Sequence, residues 1–159
     1  MSQTEQIVQS LQKRLQVLED KEALCSLLNE YCNIADAHDW VGYANTYTDD
    51  AIMTFEEWGD THGKEAIAKA ASAEERFEGL QHSMTNMQFN VDGSDSATGT
   101  AYLWFCATPA VKQPEVHYAF GGPYKFEFKR TSQGWKISRM HLKKIWAQGK
   151  DTERVFTAA

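Results

Sequence analysis

The hydrophobic period of this chain changes for good near residue 80, after one short strand-like segment among the helices, and that change rules out most architectures. From Leu80 onward the sequence reads as strands. The runs 80–91, 97–108, 116–129 and 135–146 are separated by Asp92-Gly93-Ser94-Asp95, by Pro109 to Pro114 and by Ser132-Gln133-Gly134. Before that point, apolar residues recur three and four apart, the helical spacing. Helices first and long strands afterwards exclude alternating βα units and predict an α+β domain, in which a curved, mixed but mostly antiparallel sheet wraps the helices and encloses a pocket. A chain of 159 residues has room for one such core, so pocket and fold must share the same elements.

Within the helical part, Ile7, Leu11, Leu15 and Leu18 form an amphipathic lead-in, and Glu19-Asp20 offers a fresh helix start. Leu24, Leu27, Leu28, Tyr31, Ile34 and Ala35 continue as a buried stripe, predicting a helix over 20–38. Further helices are predicted over 40–47 and 64–77, with a strand-like segment at 51–55 and turn material from Trp58 to Gly63. Two details of the sheet are legible. Leu80, His82 and Met84 share one face while Met87, Phe89 and Val91 have the opposite parity, which predicts a bulge between them. Tyr124, Phe126 and Phe128 alternate with Lys125, Glu127 and Lys129, so this strand keeps one face wet. The aromatic set is expected on an outer face, buried by self-association.

Charge and cysteine usage narrow the function. A net charge of −6, with no basic cluster longer than Lys143-Lys144, argues against nucleic acid as a partner. No run of about 18 apolar residues suggests a membrane span, and no signal-peptide pattern opens the sequence. Three cysteines, with Cys25 and Cys32 too far apart along one helix for a disulfide, predict reduced thiols and a cytoplasmic protein. The five histidines show no metal-ligand spacing, so no metal is expected.

Five short motifs, in order, carry a resemblance over roughly residues 19 to 147. They are Tyr31-Cys32-Asn33-Ile34-Ala35-Asp36-Ala37-His38-Asp39-Trp40, Tyr47-Thr48-Asp49-Asp50-Ala51, Gly63-Lys64-Glu65-Ala66-Ile67, His82-Ser83-Met84-Thr85-Asn86 and Gly134-Trp135-Lys136-Ile137. The chain resembles SnoaL-like proteins of the nuclear-transport-factor-2-like superfamily, nearest the scytalone dehydratase, bile-acid 7α-dehydratase and polyketide cyclase group. The resemblance implies a cone-shaped domain over 19–147, with an N-terminal helical extension over 1–18 and a C-terminal tail over 148–159. It also implies cofactor-independent chemistry. In the eliminating members an Asp late in the first core helix and a His opening a strand form the catalytic pair, matching Asp36 and His82. The bile-acid enzyme's Tyr matches Tyr31. Other expected contacts are missing, since the second pocket His of scytalone dehydratase falls near Ala107 and the bile-acid enzyme's second Asp near Phe105 or Cys106.

A carboxylate on one ring nitrogen of a histidine fixes the tautomer and raises basicity at the other, which suits the pair to proton abstraction. From the residues alone, His82 is equally a half-buried strand histidine and Asp36 a solvated helix-end carboxylate; Tyr31 is either core or a donor to substrate oxygen. For the pocket wall the expected residues are Phe55, Trp58, Asn86, Tyr102, Trp104, Arg139 and one of His117 and Tyr118, with Glu56 and Glu57 at the mouth. The expected function is a dehydratase-type lyase or isomerase for a small hydroxy-ketone, polyketide- or terpenoid-like substrate of secondary metabolism. A polyketide cyclase and a noncatalytic assembly module are the alternatives. A homodimer or homotrimer is expected.

Overall fold

The computed structural model describes residues 2–56 and 58–157; Glu57 lies outside them. Helix α1 runs unbroken from Gln3 to Asp36. It opens on a capping box in which the Glu5 N–H donates to Ser2 Oγ (3.2 Å) and the Ser2 N–H to Glu5 Oε2 (2.7 Å). The start expected at Glu19-Asp20 is not there, because neither Gly nor Pro interrupts 3–36 and Asp20 has another task. Its buried carboxylate accepts Arg130 Nη2 at 2.8 Å on each oxygen and Trp135 Nε1 at 3.2 Å, tying the helix to the far end of the sheet. Burial pushes this carboxyl up, but the hydrogen bonds from Arg130, Trp135 and Gln16 outweigh it and hold the group below its usual range. Residues 3–16 are all exposed, and Ile7, Leu11, Leu15 and Leu18 are each more than half accessible.

After α1, His38 adopts φ 57° and Asp39 caps the short helix α2 (Trp40–Asn45) by accepting the Gly42 N–H at 2.9 Å. Strand β1 (Tyr47–Phe55) follows, then β2 (Gly59–His62), α3 (Lys64–Ala71) and a 3₁₀ turn (Ser72–Arg76). The last half holds β3 (Gly79–Asn90), β4 (Ser96–Thr108), β5 (Tyr118–Thr131), β6 (Gly134–Leu142) and β7 (Trp146–Gly149). The sheet order is β2-β1-β6-β5-β4-β3, with β7 added to β5. Among the described residues only β1 and β6 pair in parallel, and this mixed sheet curls around the helices as a cone.

Several boundaries depart from the sequence reading. Residues 59–62 form a hairpin with β1, and the third helix tightens to a 3₁₀ turn after Ala71. The final run divides, β6 ending at Leu142 and β7 crossing to β5. That crossing needs Gly122, because a Cβ there would run into the Lys143 carbonyl oxygen. The bulge in β3 lies between Thr85 and Gln88, as the parity change predicted. Tyr124, Phe126 and Phe128 are the reverse of expectation: all three are buried and face into the cone, while Lys125, Glu127 and Lys129 form the wet face. The helices need that apolar face, and a sheet covered on one side only must turn its charges outward.

The C-terminal segment belongs to the core. Asp151 accepts the N–H groups of Val155 (3.2 Å), Phe156 (2.7 Å) and Thr157 (3.0 Å), folding the segment into a loop. Phe156 is thereby inserted among Trp58, Phe77, Phe105, Tyr118 and Phe120, with centroids 5.1–6.0 Å away. Burying such a ring contributes about 1.5–3 kcal/mol. No described helix is long and apolar enough to cross a membrane.

Candidate active site

Asp36 is the last residue of α1, and His82 sits early in β3, the edge strand on which α1 packs. An edge strand leaves outward N–H groups without a ladder partner, and here Asp36 takes one. The His82 backbone N–H donates to both carboxylate oxygens, at 2.9 and 3.1 Å, and Oδ1 lies 2.7 Å from His82 Nδ1. Asp36 therefore fixes both the strand and the ring. With Nδ1–H donating to the carboxylate, the Nε2 lone pair is the basic position. His82 is packed against Phe105 (4.6 Å between centroids) and Tyr31 (6.4 Å), and its side chain is only 7% exposed.

Beyond Nε2 lies Glu74, with Oε2 at 3.9 Å. The sequence reading missed it. Glu74 follows Ile67 and Ala71 at spacings of four and three, so it continues the apolar face of α3, and a carboxylate on an apolar face was the signal. The 3₁₀ turn buries it, and burial first, then the charge of Asp36, raises its pKa from 4.5 to about 7 against the opposing effect of His82.

Tyr31 heads a chain of phenols. Tyr43 Oη donates to Tyr31 Oη at 2.9 Å, so the 3.3 Å contact between Tyr43 and Tyr47 must be donated by Tyr47. The Tyr31 hydrogen is then directed to Tyr124, 3.5 Å away, or to an incoming oxygen. Burial raises all four phenols well above their usual range or, for Tyr47, to a value far from neutrality, so they act as donors and not as bases. Cys32, one turn before Asp36, is raised to about 12 by burial and by Asp36, and is an inert thiol.

His82, Glu74, Tyr31, Tyr43, Phe55, Trp58, Tyr124 and Phe156 share one cavity of about 30 Å³, room for about one water. The Phe156 ring forms part of its wall. A larger hollow of about 560 Å³ lies on the outer face of the sheet, lined by Lys125, Glu127, Arg139 and His141 among others. Volume favours the outer hollow, but the oriented imidazole and the buried acid are in the inner one, and water-exposed charges give no comparable control of protonation.

Placement of the remaining expected wall residues follows strand parity. Leu103 and Phe105 point inward, so Tyr102 and Trp104 point out, half exposed, with Trp104 against Trp146 (4.7 Å); they are not pocket walls. Arg139 is likewise outside, because Met140 is the inward residue. Asn86 falls in the β3 bulge with φ 54° and is exposed, so it cannot reach a ligand held at His82. Of the neighbours His117 and Tyr118, the tyrosine turns inward onto Phe156 and accepts from Lys144 Nζ at 3.2 Å, while His117 Nδ1 lies 3.1 Å from the Pro114 carbonyl. Glu56 lies outside too, 3.6 Å from His141. Among the described residues no group of three His, Cys, Asp or Glu side chains is arranged to hold a metal ion.

A curled, mixed sheet around three helices is the nuclear-transport-factor-2-like cone fold. The SnoaL-like domain matches residues 16–141, and the chain belongs to that family. Three of the similar solved structures illustrate the likeness. Hexachlorocyclohexane dehydrochlorinase LinA-type3 from Novosphingobium barchaimii is 19% identical over 87% of this chain and 95% of its own, with a TM-score of 0.74. A provisionally assigned scytalone dehydratase from Novosphingobium aromaticivorans is 15% identical over 86% and 91%, at 0.77. A nuclear-transport-factor-2-like protein of the same organism is 21% identical over 94% and 96%, at 0.68. At such identities the likeness is one of fold. No curated protein sequence matches the chain.

Proposed function

We propose that the protein is a cofactor-independent lyase of the dehydratase type, acting on a small, largely apolar hydroxy-ketone of polyketide or terpenoid character. The observation that carries this reading is the 2.7 Å contact by which Asp36 holds the ring of His82, whose side chain lines a largely apolar cavity. His82 Nε2 removes a proton from carbon next to a carbonyl, Asp36 stabilises the imidazolium that forms, and Tyr31 donates to the carbonyl oxygen as it gains charge. Such positioned acid/base groups contribute about 10²–10⁴-fold in rate. A dehydrochlorinase and a protein assigned as a dehydratase among the similar folds support an elimination. Substrate takes the space of the Phe156 ring, so the C-terminal loop must withdraw first.

A panel of β-hydroxy ketones, assayed by the appearance of the enone, tests the reading. His82→Ala should stay folded and lose about 10²-fold or more in kcat, and Asp36→Asn should lose a comparable amount. The double variant should be little worse than either, because groups acting as a unit are not additive. An active His82→Ala protein would move proton abstraction to another residue. The filled cavity supports a second reading, a noncatalytic scaffold, in which no member of the panel is turned over.

A further inference from the structure

The reaction just described leaves one proton unassigned. Hydroxide is a poor leaving group, so the C–O bond breaks readily only if its oxygen is protonated as it departs. One imidazole can serve both ends of the reaction only by moving its proton from carbon to oxygen within a single encounter. The cavity holds a second group for the task. Glu74 Oε2 and His82 Nε2 face each other across 3.9 Å, too far for a hydrogen bond and close enough for both to touch adjacent atoms of one small molecule. Both side chains are at most 10% exposed, and both line the same cavity. They come from different elements, the 3₁₀ turn and β3, so their separation is fixed by the fold and not by a local turn.

We propose that Glu74 is the general acid of the site, donating its carboxyl proton to the departing oxygen while His82 accepts the proton from carbon. The proposal rests on the dehydratase reading and gives it a second catalytic residue. The C–H bond breaks toward Nε2, a C=C bond forms, and the C–O bond breaks with the Glu74 proton passing to oxygen, which leaves as water. The site then holds an imidazolium between two carboxylates. Nε2 and Glu74 lie 3.9 Å apart, so the water just released relays the proton from the imidazolium back to Glu74 before it leaves, which restores the starting state with no oxidant or reductant required. The titratable groups facing Glu74 favour the acid form at the outset: Asp36 from α1 repels a second carboxylate, Tyr47 from β1 and Tyr124 from β5 stay neutral, and only a protonated His82 would draw the proton away. Both groups approach the substrate from one side, so the elimination is syn.

Two probes that differ only in their need for an acid test this. Ring opening of 5-nitrobenzisoxazole requires a base and releases a stabilised phenoxide; dehydration of 4-hydroxy-4-phenylbutan-2-one requires a base and a proton for the departing oxygen. Glu74→Gln should lower kcat for the dehydration by about 10²-fold while leaving ring opening within about threefold, and Glu74→Asp should recover part of the dehydration. The wild-type dehydration rate should fall at alkaline pH as Glu74 loses its proton, and ring opening should show no such fall. Retained ring opening shows at once that the variant is folded with its base intact. Equal loss of both reactions in Glu74→Gln, or loss of neither, overturns the role of Glu74. His82→Ala reads out the other reading separately: if that variant still opens the ring, the His82 base fails whatever Glu74 does. A ligand-free measurement stands beside these. In isotope-edited infrared spectra the protonated-carboxyl band of Glu74 should be present at pH 6 in the wild type and missing in Glu74→Gln, and its absence from the wild type would exclude an acid there.

Discussion

Replacing Glu74 with glutamine should change the stability of the folded protein in a pH-dependent way, whatever its effect on catalysis. Burial and the Asp36 charge raise the Glu74 carboxyl from 4.5 to about 7. A raised carboxyl stabilises the fold fully below its unfolded value and loses that contribution as pH climbs through the folded value. Between pH 4.5 and 7 the unfolded chain has given up the proton while the native state retains it, so each step upward in pH favours unfolding. At about 1.4 kcal/mol for each pH unit separating the two values, the wild type forfeits about 3 kcal/mol by pH 8. The amide of the Glu74→Gln variant has no proton to lose. Denaturant unfolding of both proteins, at one protein concentration, should therefore give a difference in stability at pH 8 about 3 kcal/mol more favourable to Glu74→Gln than the difference at pH 4.5. In a thermal melt this corresponds to roughly 6–12 °C for a chain of this size. Any fixed cost of burying the amide cancels in the comparison, as does the titration of Asp20. The same difference at both pH values would refute the placement of an uncharged carboxyl at this position.

Two more outcomes follow. Phe156→Ala should enlarge the cavity and, on the proposed function, lower KM for the β-hydroxy ketones more than it alters kcat, measured by steady-state kinetics, because the ring lines the cavity and carries no group that transfers protons. The exposed apolar row at Ile7, Leu11, Leu15 and Leu18 calls for a covering surface, and we propose a homodimer or homotrimer. Light scattering at micromolar concentration should exceed 18.0 kDa, and Leu11→Glu with Leu15→Glu should reduce it to that mass.

The sheet was legible because alternation survives along β4 and in β5 from Tyr124 to Lys129, where every second residue is buried, and the helices because Leu24 to Ala35 hold a clean stripe. Parity alone did not say which face is inside. That depends on where the helices lie, which is why Tyr102, Trp104 and Arg139 were expected in the pocket and Tyr124, Phe126 and Phe128 outside it. Asp36 and His82 were found through motif order, since a helix end and a strand start carry no mutual distance in sequence. Glu74 was hidden by its neighbours Glu75 and Arg76, which make the segment look solvated although helical spacing places Glu74 on the apolar face. Phe156 was hidden because a short polar tail has no period, and what inserts it is a loop gathered around Asp151.

The parallel pairing of β1 with β6 has a kinetic side. Tyr47 lies beside Ile137 and Phe55 beside Leu142, and Asp20 waits for Arg130 in the same way. Contacts so distant in sequence require closure of a long loop before they return any stabilisation, and chains dominated by such contacts fold slowly. During synthesis at about 5–20 residues per second, β1 stays without its parallel neighbour for several seconds, with Ala51, Met53 and Phe55 uncovered. Until then its shield among the described elements is α1 and α2, which set Tyr31 and Tyr43 against Tyr47, together with the hairpin partner β2 and helix α3. Substitutions in 59–71 that leave the finished protein intact should therefore still lower the yield of native chain, by lengthening the exposure of a strand that the completed sheet hides.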